Sequence, residues 1–455
     1  MTASPEKLST AARLAAAARV VAAVSEGGES LDDVLARYDA SGVDTASRAA
    51  IQALAYGTVR WYSRVDFWIS RLLEAGTKPR PQLHALLAVG LHQLVFSSHA
   101  PHATVDQAVE ASRELGQPRA AGLINAVLRR FLRVRQTLDA AADEVPAARY
   151  SHPAWWIERI RRDWPEEWPQ ILDANNQPPP MWLRVNRRHS SRDAYLETLR
   201  AASIAAQASE YASDAVLLQT AAPVNTLPGF ERGVVSVQDA GAQLAVELLE
   251  VRDRMRVLDA SAAPGGKTCH LLERADLDMV AIDRSSARLA QLEQNLRRLG
   301  LAATVVEGDA ADTAHWWNGQ PFERVLLDAP CTASGVIRRH PDVKLLRRPA
   351  DIEPLQREQL RLLRALWLVL APAGRLLYDT CSILRAENAD VIRLFLEAEP
   401  GAKSVPVSAN FGPPGKRVTD GVGVQILPGA AGMDGFYYAC LEKRRTETHA
   451  GNPSA

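Results

Sequence analysis

Met255-Arg256-Val257-Leu258-Asp259-Ala260-Ser261-Ala262-Ala263-Pro264-Gly265-Gly266-Lys267-Thr268 is an apolar run of strand length that passes into a Gly-rich turn, with a helix expected from Lys267. Such a turn lets a ligand come close to the backbone at the carboxyl end of a sheet. A phosphate-cradling loop would need Gly five residues before Gly266, where Ser261 stands, and no G-x-G-x-x-G is present. An adenosyl ligand without phosphates is the reading that remains.

Working outward, Met279 to Asp283, Thr304 to Gly308, Arg324 to Asp328 and Leu376 to Thr380 are further strand-length runs separated by helical segments. Strands alternating with helices predict a parallel sheet covered on both faces. Val424 to Leu427 and Phe436 to Leu441 read as a closing strand pair joined by a Gly-rich turn. This α/β domain is expected over 236–445, with a disordered tail at 446–455. Upstream, Leu8 to about Leu138 carries helical periodicity: Ile51, Leu54, Tyr62, Val65, Ile69 and Leu72 recur mostly at three- and four-residue steps. An all-α bundle over 1–140 follows, its last two helices starting near Thr104 and Pro118. Between them, 141–235 reads as a small α/β connector. It holds Trp155, Trp156, Trp164 and Trp168, then Pro178 to Pro180, which force the chain to extend, then a strand at Met181 to Asn186 and a helix from Arg192 to Ala202.

Acids stand at the ends of the second and third strands of the α/β domain. Asp283 can accept both ribose hydroxyl protons of an adenosyl ligand, and Asp309 can face its adenine amino group. Two later strands end in Asp328-Ala329-Pro330-Cys331 and Thr380-Cys381-Ser382, so two thiols fall on the same edge of the sheet. Cys269 and Cys440, inside a helix and a strand, read as buried small hydrophobes. With no C-x-x-C pair and no nearby His pair, neither a disulfide framework nor a metal site is expected.

The 455 residues, 47% hydrophobic and 23% charged, carry a formal net charge of zero, which argues against a chain that merely coats nucleic acid. Charge is nevertheless clustered: Arg113, Arg119, Arg129, Arg130, Arg133 and Arg135 form one run, and Arg338, Arg339, Lys344, Arg347 and Arg348 another. Solvated faces are the ordinary reading of such runs. Arg129, Arg130, Arg338 and Arg339 are the candidates for RNA binding. The first ten residues lack a secretory pattern, and no apolar stretch reaches the roughly 20 residues of a membrane span, so a cytoplasmic protein is expected.

Together, Ala262-Ala263-Pro264-Gly265-Gly266-Lys267, Asp328-Ala329-Pro330-Cys331 and Thr380-Cys381-Ser382 resemble the Sun family of RNA cytosine-5 methyltransferases from about Asn175 onward. The helical region, including Ala121 to Arg130, resembles the NusB-type RNA-binding domain. The resemblance implies a Rossmann-like methyltransferase domain that uses S-adenosyl-L-methionine. It assigns Ser261, Ala262, Ala263, Pro264, Gly265, Gly266, Lys267, Asp283 and Asp309 to the cofactor, with Asp328 bordering it. Cys381 becomes the nucleophile that attacks cytosine C6, Cys331 the group that assists release, and Asp328 the residue that orients the base. The combination implies a monomer acting on bacterial 16S rRNA, expected at cytosine 967, either naked or in an early ribosomal particle. A tRNA or 23S rRNA target and a non-catalytic assembly factor are the alternatives. Ser261 stands where relatives often have Cys, and Asp379 where a small residue is common. The latter puts a carboxylate on the nucleophile's strand, where it would act on the thiol.

Overall fold

The computed structural model describes residues 7–39, 42–408, 410–415 and 417–444; the tail expected at 446–455 lies outside the described residues. Two compact units divide the chain: Met1–Pro178 with Ile337–Pro349, and Pro179–Val336 with Ala350–Ala455. The division falls at the Pro178–Pro180 run, inside the connector expected over 141–235. Helices before the prolines pack with the bundle, whereas the small sheet after them belongs with the second unit.

In the first unit, helix Thr10–Ser25 is capped by Ser9, whose hydroxyl accepts from the Ala12 amide at 3.0 Å. Its Ala- and Val-rich sequence leaves Leu14, Ala15, Ala16, Ala17, Ala18, Val20 and Val21 all buried, the signature of a helix enclosed on every side. Helix Pro81–Phe96 is enclosed in the same way. Around them stand Thr45–Arg60, Tyr62–Leu72, Pro101–Glu114 and Ala121–Asp143. Helix Pro101–Glu114 begins three residues before the expected Thr104, because Pro101 occupies the first turn, where its missing N–H costs nothing. The Trp-rich segment packs: Trp156 and Trp164 are buried, and Trp155 stacks on Trp156 with ring centroids 4.1 Å apart.

Within segment Ile337–Pro349 two members of the basic run, Arg338 and Lys344, are buried rather than solvated. Lys344 is buried and donates to the Arg60 carbonyl at 2.5 Å, the Ser151 carbonyl at 2.8 Å and Asn176 Oδ1 at 2.9 Å. Burial, reinforced by Arg60, pulls its pKa well below the ordinary lysine value. Arg338 is also buried, and its carbonyl accepts from Arg60 Nη2 at 2.8 Å. Arg338 therefore does not offer the open cationic surface that an RNA-binding side chain needs.

The second unit holds two sheets. In the smaller, strands β1 (Trp182–Val185), β2 (Ala206–Ala208), β3 (Ala215–Leu218) and β4 (Val235–Val237) pair antiparallel in the order β2-β3-β1-β4. Helix Arg192–Ala201 contributes Tyr195 and Leu199 to their core. The larger sheet comprises β5 (Arg256–Ala260), β6 (Asp278–Asp283), β7 (Thr304–Glu307), β8 (Phe322–Asp328), β9 (Leu370–Thr380), β10 (Ala402–Val405), β11 (Arg417–Thr419), β12 (Val424–Ile426) and β13 (Phe436–Lys443). The order β7-β6-β5-β8-β9 is parallel throughout, and β13, β12 and β11 extend it antiparallel, with β10 also on β13. The five expected parallel strands and the closing pair are all present. The chain leaves β5 toward β6 and later returns to its other side as β8. That reversal opens a crevice beyond the carboxyl ends of β5 and β8. Among the described residues no helix is long and apolar enough to cross a membrane.

Arg184 on β1 ties the small sheet to the Gly-rich turn. Its Nε and Nη2 donate to Glu273 at 2.8 and 2.7 Å, and its Nη1 donates to Gln238 Oε1 and the Gly266 carbonyl, each at 2.6 Å. Both charged side chains are 1% exposed. Arg184→Met leaves a buried carboxylate unpaired and is expected to destabilise this unit by about 3–5 kcal/mol in urea unfolding. A loss under about 1 kcal/mol would show the pair to be dispensable.

Candidate active site

The turn after β5 is shaped by backbone conformation. Ser261 has φ 73° and Gly265 φ 99°. A side chain at Gly265 would collide with Leu292 Cδ1, so glycine is required both for conformation and for room. The Ser261 and Ala262 amides donate to the Ile282 carbonyl at 2.9 and 3.0 Å, and the Ala263 amide to Asp283 Oδ2 at 3.1 Å. The turn is thereby sewn to the end of β6, and helix Gly266–Arg274 begins at its close, one residue before expectation.

A cavity of about 380 Å³ opens over this turn, lined among others by Ser261, Asp283, Asp328, Cys331 and Cys381. The structure thus brings five of the expected site residues to one wall. Asp283 also accepts from the Ser285 amide at 3.0 Å, and each carboxylate oxygen retains a lone pair for a ribose hydroxyl. The two cations at this wall are engaged: Arg284 pairs with Asp309 and Glu358, and Arg288 donates to the Ala263 carbonyl. A neutral adenosyl group fits these surroundings better than a phosphate chain. Asp309 departs from its expected place. Gly308 and Ala310 line the cavity, while the Asp309 carboxylate is taken up by Arg284 at 2.7 Å and by Arg361 at 2.8 and 2.9 Å. These hydrogen bonds hold Asp309 below the ordinary carboxylate range despite partial burial.

The two thiols meet. Cys331 Sγ and Cys381 Sγ are 3.5 Å apart, with Cys331 buried and Cys381 partly exposed. Sharing a proton with Cys381, together with burial, pushes the Cys331 thiol well above its ordinary pKa. Cys269 and Cys440, as expected, are buried, and burial raises each to about 12. Lys267 Nζ lies 2.8 Å from Asp328 Oδ2 and also pairs with Asp379. The Lys267 charge therefore lies between two carboxylates, and Asp379 turns toward it. Behind it, Thr268 Oγ1 donates at 2.6 Å to the buried Asp259, which burial raises to about 7.

What sequence reasoning missed is the frame behind the cysteines. Glu387, fully buried, accepts from the Thr332 amide at 2.8 Å, Thr332 Oγ1 at 2.6 Å and Ser382 Oγ at 2.5 Å. Thr332 and Ser382 are the residues directly after the two cysteines, so one carboxyl group bridges both loops. Gly335 N donates to the Cys381 carbonyl at 2.8 Å, and Ser334 Oγ lies 2.9 Å from Ser382 Oγ. Asn388 joins Thr380 Oγ1, the Ser382 carbonyl and Gln425 at 2.6 to 2.9 Å. Glu387 and Asn388 follow Cys381 closely, but nothing in their spacing announces a buried polar knot.

Removing that bridge should loosen both loops at once. In Glu387→Ala, alkylation of Cys331 by iodoacetamide is expected to accelerate at least about tenfold, by local opening. An unchanged rate, read by mass spectrometry, would assign the rigidity elsewhere.

Family comparisons agree with this architecture. Residues 10–133 match the NusB family, 152–225 the RsmF/B-like ferredoxin-like domain, and 246–442 the family described as 16S rRNA methyltransferase RsmB/F. Ribosomal RNA small subunit methyltransferase B of Pseudomonas putida is 48% identical over 94% of this chain and 98% of its own. The protein of the same name from Vibrio cholerae is 44% identical over 94% and 97%. Among solved structures, a methyltransferase homolog protein from Pyrococcus horikoshii shares 27% identity with a TM-score of 0.58, covering 65% of this chain and 97% of that one. NSun6 from the same organism, solved with SFG, has the same fold at 21% identity and a TM-score of 0.56, covering 65% and 99%. The chain therefore belongs to the ribosomal RNA small subunit methyltransferase B family and is an S-adenosylmethionine-dependent methyltransferase.

Proposed function

We propose that the protein methylates carbon 5 of a cytosine in 16S rRNA, expected at cytosine 967, through a covalent adduct between Cys381 and cytosine C6. The observation that carries this reading is the 3.5 Å approach of two unequal thiols, one partly exposed and one buried, on a cavity wall shared with Asp328. The family resemblance and the names of the relatives support the 16S rRNA target.

Cytosine C5 is a weak nucleophile. Addition of the Cys381 thiolate to C6 breaks the ring conjugation and moves electron density through the ring, with N3 taking a proton from solvent. Asp328, half-exposed beside the thiols, accepts from the N4 amino group and holds the N3 edge where that charge changes. S-adenosylmethionine supplies an electrophilic methyl group for C5, with residues 261–267, Asp283 and the backbone on either side of Asp309 holding it. Once Cys331 has lost its own proton to solvent, its thiolate removes the C5 proton; the C5–C6 double bond re-forms, N3 returns its proton to solvent and Cys381 leaves as thiolate. The target base must be unstacked for C6 to be reached from above its ring.

Arg129 and Arg130 lie exposed on the basic face of helix Ala121–Asp143, and with the half-buried Arg339 they are assigned to the RNA backbone. The protein acts as a cytoplasmic monomer on naked rRNA or an early ribosomal particle.

Cys381→Ala should reduce 5-methylcytosine formation to background. Cys331→Ala should instead accumulate a protein–RNA complex that survives denaturation. Full activity in Cys381→Ala overturns the mechanism. Arg129→Ala with Arg130→Ala should weaken RNA binding and lower the log–log salt slope by up to about 2. An unchanged slope removes these arginines from the interface.

A further inference from the structure

The second unit buries a carboxylate that this reaction does not use. Asp379, two residues before Cys381, is fully buried, and neither of its oxygens has a well-aligned hydrogen-bond donor among the described residues. Its charge is compensated by the ion-pair contact with Lys267 Nζ. The same ammonium lies 2.8 Å from Asp328 Oδ2. Asp328 and Asp379 are register partners at the ends of β8 and β9, so one cation stands between carboxylates on adjacent strands. Asp328 reaches the cavity, and Asp379 does not line it.

We propose that Asp379 is a positioning residue of the methyl-transfer site: by competing for the Lys267 ammonium it governs how strongly Asp328 holds the amino edge of the target base. The assignment rests on the cysteine mechanism above. When Asp379 is ionised, Lys267 is divided between two anions, and Asp328 keeps more of its capacity to accept from the base. When Asp379 is neutral, Lys267 belongs to Asp328 alone and the base competes with a full ion pair.

The groups facing Asp379 are Lys267 from helix Gly266–Arg274, Asp328 from β8, Asp259 from β5, and Tyr438, its register partner on β13. Tyr438 is held protonated, chiefly by burial and then by Asp379, Asp239, Asp328 and Asp434. Burial raises Asp379, Lys267 opposes the rise, and Asp328 and Asp259 add to it, leaving its pKa at about 7. The competition therefore changes within the working range: Asp328 gains strength as pH rises and Asp379 ionises.

The test compares the full-length protein with Asp379→Asn, and with Asp379→Ser should the first variant fold poorly. The kcat/KM for methyl transfer to a 16S rRNA fragment is measured from pH 6 to 8.5, and cofactor affinity by calorimetry. Titrations shared by both proteins, including the thiols, cancel in the ratio of wild type to variant. That ratio should rise roughly three- to tenfold across the range, mainly through KM for RNA, with cofactor affinity unchanged. A ratio independent of pH, or a loss of cofactor binding that parallels the loss of activity, overturns the assignment. The Cys331→Ala protein separates the two levels. If it forms no covalent complex with RNA, the cysteine mechanism falls and this inference with it; if it does form the complex while the ratio stays flat, only the role of Asp379 falls.

Discussion

The hydrogen bonds of Glu387 to Thr332 and Ser382 hold the loops that bring Cys331 and Cys381 together, the geometry on which the proposed chemistry depends. Two cysteines 50 residues apart in sequence come within 3.5 Å only because the loops after β8 and β9 are held in register beyond the last paired residues. A parallel sheet supplies the neighbourhood, since Asp328 and Asp379 pair across β8 and β9, but strand pairing ends there. From that point a buried carboxyl group accepting three hydrogen bonds replaces the ladder. Buried polar networks of this kind are stable only when satisfied, and once satisfied they specify one arrangement.

The cofactor side follows a different logic. In the proposed cofactor site the backbone would form the binding surface, and the requirement falls on conformation: left-handed Ser261 and Gly265, with Leu292 occupying the place a side chain would take. Arg184 and Glu273 brace the turn from the small sheet. The second unit thus combines a rigid backbone turn with two thiols on the next strand ends, an arrangement suited to bringing a methyl donor and a base ring to one cavity.

Much of this was legible in the sequence because it is local. The Gly-rich turn, the acids at strand ends and the strand-ending cysteines are short patterns whose meaning follows from sheet topology. Asp309 illustrates the limit: its position after β7 was readable, but its partners Arg284 and Arg361 come from elsewhere in the chain, and their charges redirect it. Arg338 and Lys344 fail for the same reason, since a charge run does not say which of its side chains packing will bury. Glu387, Asn388 and Gln425 were invisible because polar residues at unremarkable spacings become a framework only after three elements have converged. Asp379 was visible as a charge beside the nucleophile, yet its partner is Lys267 rather than a thiol.

Peptide mapping of the covalent complex formed with RNA containing 5-fluorocytidine distinguishes the work proposed for the two thiols. Fluorine at C5 blocks the final proton removal and leaves the enzyme attached to the base. The RNA should be bonded to the peptide containing Cys381, with Cys331 free for later alkylation under denaturing conditions. Attachment at Cys331 would contradict it.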